Sequence, residues 1–178
     1  GVNVPSKAFG EFVEHERGTP SVSAEELNAL MRAGDNIKVL DSRPFDEYSR
    51  VSIPTSTNVP GAELVLRVRD IVPSPDTTIV VNCAGRTRSI IGAQSLINAG
   101  LPNRVVALKD GTMGWHLAGL ELAHQQNRQA PPPSSAGLAR AQQAAARVAK
   151  RFGVRYIDVH TIAGFAREMD RRTLYLFD

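Results

Sequence analysis

Cysteine is almost missing: the chain of 178 residues holds one, Cys83. A single thiol forms no internal disulfide, which excludes a disulfide scaffold and fits a reducing compartment such as the cytoplasm. Histidine is sparse too. His15, His116, His124 and His160 are scattered, so no zinc-ligand spacing arises and no metal or other cofactor is expected. No apolar run nears 18 residues, so neither a membrane span nor a membrane partner is expected. The opening "GVNVPSKAFGEF" lacks both a signal-peptide pattern and an initiator methionine, as in a processed chain or a piece of a longer one. Acid is absent between Glu121 and Asp158, where Arg128, Arg140, Arg147, Lys150, Arg151 and Arg155 lie. The net charge of +3 therefore leaves the remainder net acidic. Those cations stand mostly among Ala and Gln, with Phe152 the one aromatic between them. That argues against nucleic acid and for a solvated helical linker.

Apolar residues make up 42% of the chain and charged ones 22%, which suits a soluble globular domain with extra material. Residues 1–19 read as an extended arm or interdomain linker, with little to pack beyond Phe9, Phe12 and Val13. A helix starts at "SVSAEELNALMRAGD", with Ser23 as cap, Glu26 as its reciprocal partner and Gly34 as the stop. "IKVL", 37–40, reads as a buried strand. Asp41 and Arg43 follow its end, and Pro44 opens a short helix with Phe45 and Tyr48. "SIPTSTNVPG" reads as an irregular connection and 62–70 as a helix. "TTIVVN" is the next strand, "RSIIGAQSLINAG" a helix, and "RVVAL", 104–108, a third strand. "KDGTMGWHLAG" is a Gly-rich turn into a helix carrying Trp115.

Short buried strands alternating with helices predict an α/β fold with a central, mainly parallel sheet and helices on both faces. In such sheets ligands gather beyond the carboxyl ends of the strands. Asp41, Arg43, Cys83, Arg86, Arg88 and Gly111 all follow strand ends, so one shared site is predicted. One complete domain is expected over 20–127, then a linker over 128–147 broken by "PPPSSAG". The helix-prone Ala/Gln/Arg run after it can begin a new element. "VHTIAGFAREMDRRTLYLFD", from Val159, repeats the helix–strand–aspartate order of "VSAEELNALMRAGDNIKVLD", from Val22. Leu27 pairs with Ile162 and Leu30 with Phe165. On that pattern 148–178 is the truncated start of a second copy, which cannot bury its own strand. It is expected to be poorly ordered or to pack on the first domain or another chain.

"VVNCAGRTRS" poses the chemical question. A free cysteine after an apolar strand is most often core filler. Its neighbours argue otherwise. Ala84 and Gly85 let the chain curl, so that successive N–H groups form an anion nest. The following helix points its positive end at the same place, and Arg86 and Arg88 add charge. These features favour a nucleophilic thiolate. Thr87 and Ser89 can donate hydrogen bonds to it, or Ser89 can cap a carbonyl in the first helical turn. No histidine lies in the loop, so the expected target is an anion with a good leaving group: a sulfane sulfur donor or a phosphate ester.

These segments resemble the rhodanese family of sulfurtransferases over roughly 20–126. "VLDSRPFDEY" is similar to its opening strand and aspartate–x–arginine signature. "CAGRTR" is similar to its six-residue active loop, and "DGTMGWHLAG" to its glycine–tryptophan segment. Asp178 after "LYLF" matches Asp41, as in tandem members of the family. The resemblance implies a rhodanese-like α/β fold and a Cys83 persulfide, with no cofactor. The donor is a small anion such as thiosulfate; the acceptor is a thiol, cyanide or a protein. Ala84, Gly85, Arg86, Thr87, Arg88 and Ser89 would bind substrate. Asp41, Arg43, Gly111 and Trp115 would brace them. Ser52 and Thr55 stand where the family usually has histidine and glycine, and Gly85 is one position earlier than usual. Related phosphatases and arsenate reductases use a loop typically one residue longer, so a tetrahedral phosphate should not fit between Cys83 and Arg88. A non-catalytic or regulatory binding domain is the other reading, and a Cys83 shut away from solvent would favour it.

Overall fold

The computed structural model describes residues 5–171, 173 and 174. Its centre is a parallel sheet of β1 (Ser21–Val22), β2 (Ile37–Asp41), β3 (Thr57–Asn58), β4 (Thr78–Asn82) and β5 (Val105–Leu108). The strand order is β1-β5-β4-β2-β3, and every pairing is parallel. Successive side chains of a strand point to opposite faces, so a sheet covered on both sides needs continuous apolar runs. Leu40, Ile79, Val81, Val105 and Ala107 enter one core with Leu64, Val68, Ile90, Ala93 and Leu96. Val39, Val80, Val106 and Leu108 enter the other with Leu27, Ile53 and Trp115.

The first core is covered by α4 (Leu64–Ile71) and α5 (Thr87–Asn98), the second by α2 (Ala24–Ala33) and α6 (Gly111–Leu117). Short α3 (Phe45–Arg50) follows β2. The expected box on α2 is present. Ser23 Oγ accepts from the Glu26 N–H at 3.1 Å, and the Glu26 carboxylate accepts from the Ser23 N–H at 2.7 Å. Gly34 ends α2 with φ 74°, a left-handed conformation that costs glycine little.

Two expectations need correction. The N-terminal arm is not extended: α1 spans Pro5–Arg17 and packs on α5. Its apolar signal is only partly followed: Phe9 and Phe12 are exposed, Val13 packs half-buried on the first core, and the buried contact residue is Gly10. The "SIPTSTNVPG" connection contains edge strand β3, and β1 precedes α2. Both are two-residue strands, too short for periodicity to reveal.

The proline-rich segment leads into α7 (Ser135–Arg151), which packs on α4. Ser134 caps it by accepting from the Gly137 N–H at 2.9 Å. The Asp70 carboxylate on α4 takes the Ser134 N–H at 2.7 Å and its hydroxyl at 2.8 Å, which holds its pKa below the ordinary value. α8 (Val159–Ala166) follows, capped by Asp158. A register emerges here. Gly18 after α1 has φ 61° and Gly153 after α7 has φ 64°; Ser23 caps α2 and Asp158 caps α8. The two helix–glycine–cap–helix units keep the same internal spacing, the one that pairs Leu27 with Ile162. Residues 151–160 are exposed. Residues 175–177 of the expected last strand, and Asp178, lie outside the described residues. Among the described residues no helix is long and apolar enough to cross a membrane.

Candidate active site

The site stands at the carboxyl ends of β2 and β4. Asp41, the last residue of β2, is fully buried. Its carboxylate accepts from Arg43 Nε at 2.9 Å and Nη2 at 2.8 Å, from the Arg43 N–H at 3.1 Å and from Asn82 Nδ2 at 2.8 Å. Arg43 is 3% exposed, and its Nη2 also donates to the Val51 carbonyl at 2.7 Å. A buried charge persists only when paired and hydrogen-bonded, and this pair is both. Asn82 extends the network by donating to Thr112 Oγ1 at 3.0 Å. Thr112 donates its N–H to the Cys83 carbonyl at 2.8 Å, and its hydroxyl donates there at 3.1 Å. Asp41 and Arg43 thus brace the strand end on which Cys83 sits.

Cys83 is 2% exposed, and its thiol lies 3.6 Å from Ser89 Oγ. The Ser89 hydroxyl donates to the Arg86 carbonyl at 2.8 Å, so it caps the first turn and touches the sulfur as well. Among the described residues no acceptor meets the N–H groups of Ala84, Gly85 and Arg86. They line the curl ahead of α5, whose N-terminal partial positive charge adds to theirs. Gly111, with φ 54°, lies so close beneath that a Cβ there would stand 2.7 Å from the Gly85 oxygen and 2.9 Å from its nitrogen. Above Gly85 the space is open.

The loop arginines are already engaged. Arg88 makes a two-pronged bond to Glu47 of α3, Nη1 at 3.0 Å and Nη2 at 2.8 Å. This bond holds the Glu47 carboxyl below its usual range and raises the Arg88 guanidinium. Arg86 reaches the other way, to Glu11 at 3.2 Å and Glu14 at 3.5 Å on α1. Thr87, expected beside the thiolate, instead donates its hydroxyl to the Ser6 carbonyl at 3.2 Å. Trp115 is part of the core beneath α2, its Nε1 donating to the Glu121 carbonyl at 2.8 Å.

Beside the loop is a mostly apolar cavity of about 280 Å³, lined by Arg43, Val51, Ala84, Met113, His116 and Leu122, among others. Ser52 exchanges two backbone hydrogen bonds with Ala123, both 2.8 Å, so it holds the chain rather than lining the site. Among the described residues no group of His, Cys, Asp and Glu could hold a metal ion.

A rhodanese-like domain model matches residues 23–118, more than half of the chain. The chain belongs to the rhodanese-like family. A solved thiosulfate sulfurtransferase from Pseudomonas aeruginosa is 54% identical with a TM-score of 0.87, covering 95% of this chain and 32% of its own. An HTH-type transcriptional regulator of Mycobacterium tuberculosis is 32% identical over 58% of this chain and 45% of its own. The BH2092 protein of Bacillus halodurans, 21% identical with a TM-score of 0.55 over 68% of this chain and 88% of its own, shares the fold. The chain thus spans about a third of the Pseudomonas structure and about half of the mycobacterial relative. Within this rhodanese-like domain the sequence pointed to Asp41, Arg43, Cys83, Ser89 and Gly111, which the structure brings together. It missed Asn82 and Thr112, ordinary residues until their strand ends meet. It missed Glu47 although its signal was present, an acid in the first turn of α3 within the motif itself. Glu11 and Glu14 carry no signal in the sequence, because residues 1–19 read as an arm.

Proposed function

We propose that this chain is a sulfurtransferase that works through a Cys83 persulfide. The Cys83 thiolate attacks the outer sulfur of an anionic donor such as thiosulfate. A new S–S bond forms, the donor's S–S bond breaks, and sulfite leaves with its electron pair. A thiol or cyanide then attacks the terminal sulfur and regenerates the thiolate, the two-step logic of covalent catalysis. The observation that carries this reading is the position of Cys83 at a strand end, followed by three loop N–H groups that meet no acceptor among the described residues and then by α5. Those amides suit a persulfide sulfur or the donor's negative charge. Steady-state turnover of thiosulfate plus cyanide against an aryl phosphate tests it. Thiocyanate formation without phosphate release is expected. Phosphate release without thiocyanate would sink the reading.

The burial of Cys83 favours a second reading, a non-catalytic binding domain. A buried thiol is often inert. The two readings part on whether Cys83 takes up sulfur at all. For the tail, we propose that 148–178 begins a second rhodanese-like domain. The matched helix–glycine–cap–helix units support it.

A further inference from the structure

The rim around Cys83 has an unexpected charge balance. The loop that follows Cys83 carries two cations, Arg86 and Arg88. Three carboxylates meet them: Glu47 on Arg88, and Glu11 and Glu14 on Arg86. Glu11 and Glu14 come from α1, which precedes the residues matched by the family model. Contact between α1 and the loop is close. A Cβ on Gly10 would stand 3.1 Å from the Thr87 Cα, and Ser6 accepts from Thr87. The absence of a side chain at Gly10 eases the close approach of α1, which carries Glu11 and Glu14, to the loop.

We propose that Glu11 and Glu14 are specificity determinants of the Cys83 site. By holding Arg86 they leave the balance of these loop side chains net negative, so the attraction for anions comes from the loop amides and the N-terminus of α5. Coulomb energy scales with ligand charge, so such a rim handicaps a dianion more than a monoanion, and a neutral molecule not at all. Thiosulfate, a dianion, is still accepted through the loop amides but at a handicap, and the substrates favoured are weakly charged: neutral thiols, and sulfur donors carrying one charge or none. The substrate identity rests on the sulfurtransferase reading; the charge preference does not.

Alkylation of Cys83 separates the two, because it is the only thiol in the chain. Rates with iodoacetate, an anion, and iodoacetamide, its neutral analogue, are measured at low salt. Their ratio cancels thiol exposure and protonation. E11Q/E14Q is expected to raise the ratio about two- to fivefold, the size of removing two partly screened surface charges beside the loop. R86Q, which frees both carboxylates, is expected to lower it. At high salt the differences should vanish. An unchanged or lowered ratio in E11Q/E14Q overturns the proposal. So does an equal rise in both rates, which would make α1 a steric cover. The same variants are assayed with thiosulfate and a neutral thiol; the gain should appear in kcat/KM for thiosulfate only. A wild-type chain that moves no sulfur refutes the sulfurtransferase reading, while the alkylation ratio still judges this one.

Discussion

Asp41→Ala probes the support under the cysteine loop. The carboxylate is fully buried and accepts four hydrogen bonds, three from Arg43 and one from Asn82. Removing it leaves a guanidinium that is 3% exposed without its counter-charge. Among the described residues only the Val51 carbonyl still accepts from the Arg43 guanidinium. Breaking a buried pair from one side costs about 3–5 kcal/mol, far more than the ~0–1 kcal/mol of an exposed pair. The stranded Asn82 amide adds about 1 kcal/mol. Urea unfolding is the assay: the midpoint should fall while the slope stays constant. Asp41→Leu combined with Arg43→Met should recover much of the loss, because two apolar side chains leave no charge unpaired. A loss under about 1 kcal/mol for Asp41→Ala would show that Arg43 is solvated, and the bracing role would fall with it.

Gly111→Ala should cost about 1–2 kcal/mol for its left-handed backbone and slow sulfur uptake more than it lowers stability, because the new Cβ meets the loop itself; equal effects on both would place the strain elsewhere. Thr55 is a β-branched residue at φ 66° in the place where the family usually has glycine. Thr55→Gly should raise the urea midpoint by up to about 1 kcal/mol equivalent, and a drop would mean that the threonine side chain is needed. Glu47, its pKa lowered by Arg88, contributes stability that is present above the unfolded carboxyl pKa of roughly 4.3 and is lost as pH falls through the lower folded value. Glu47→Gln should therefore differ from wild type at neutral pH, by under about 1 kcal/mol for a pair this exposed, and match it at strongly acidic pH. A gap that widens toward acid would contradict the assigned sign.

Legibility followed the range of each physical signal. β2, β4 and β5 were readable because burial on both faces demands continuous apolar runs. The α2 box was readable because capping acts over three residues. Cys83 stood out through its local loop, and Gly111 through its place after β5. What stayed hidden depends on contacts across the chain. Arg86 looks like an anion ligand until α1, 72 residues away, supplies Glu14. Thr87 looks like a thiolate donor until Ser6 takes its hydroxyl. α1 itself was missed because its packing face offers little apolar periodicity: it meets the domain through Gly10 and Val13, while Phe9 and Phe12 are exposed.

The central claim is that Cys83 carries sulfur. Intact mass after incubation with thiosulfate, followed by removal of excess donor, tests it most directly. The account predicts a gain of one sulfur atom in the wild-type chain, lost on adding cyanide and absent in Cys83→Ser. A wild-type chain that gains nothing, or a Cys83→Ser chain that still does, would contradict it.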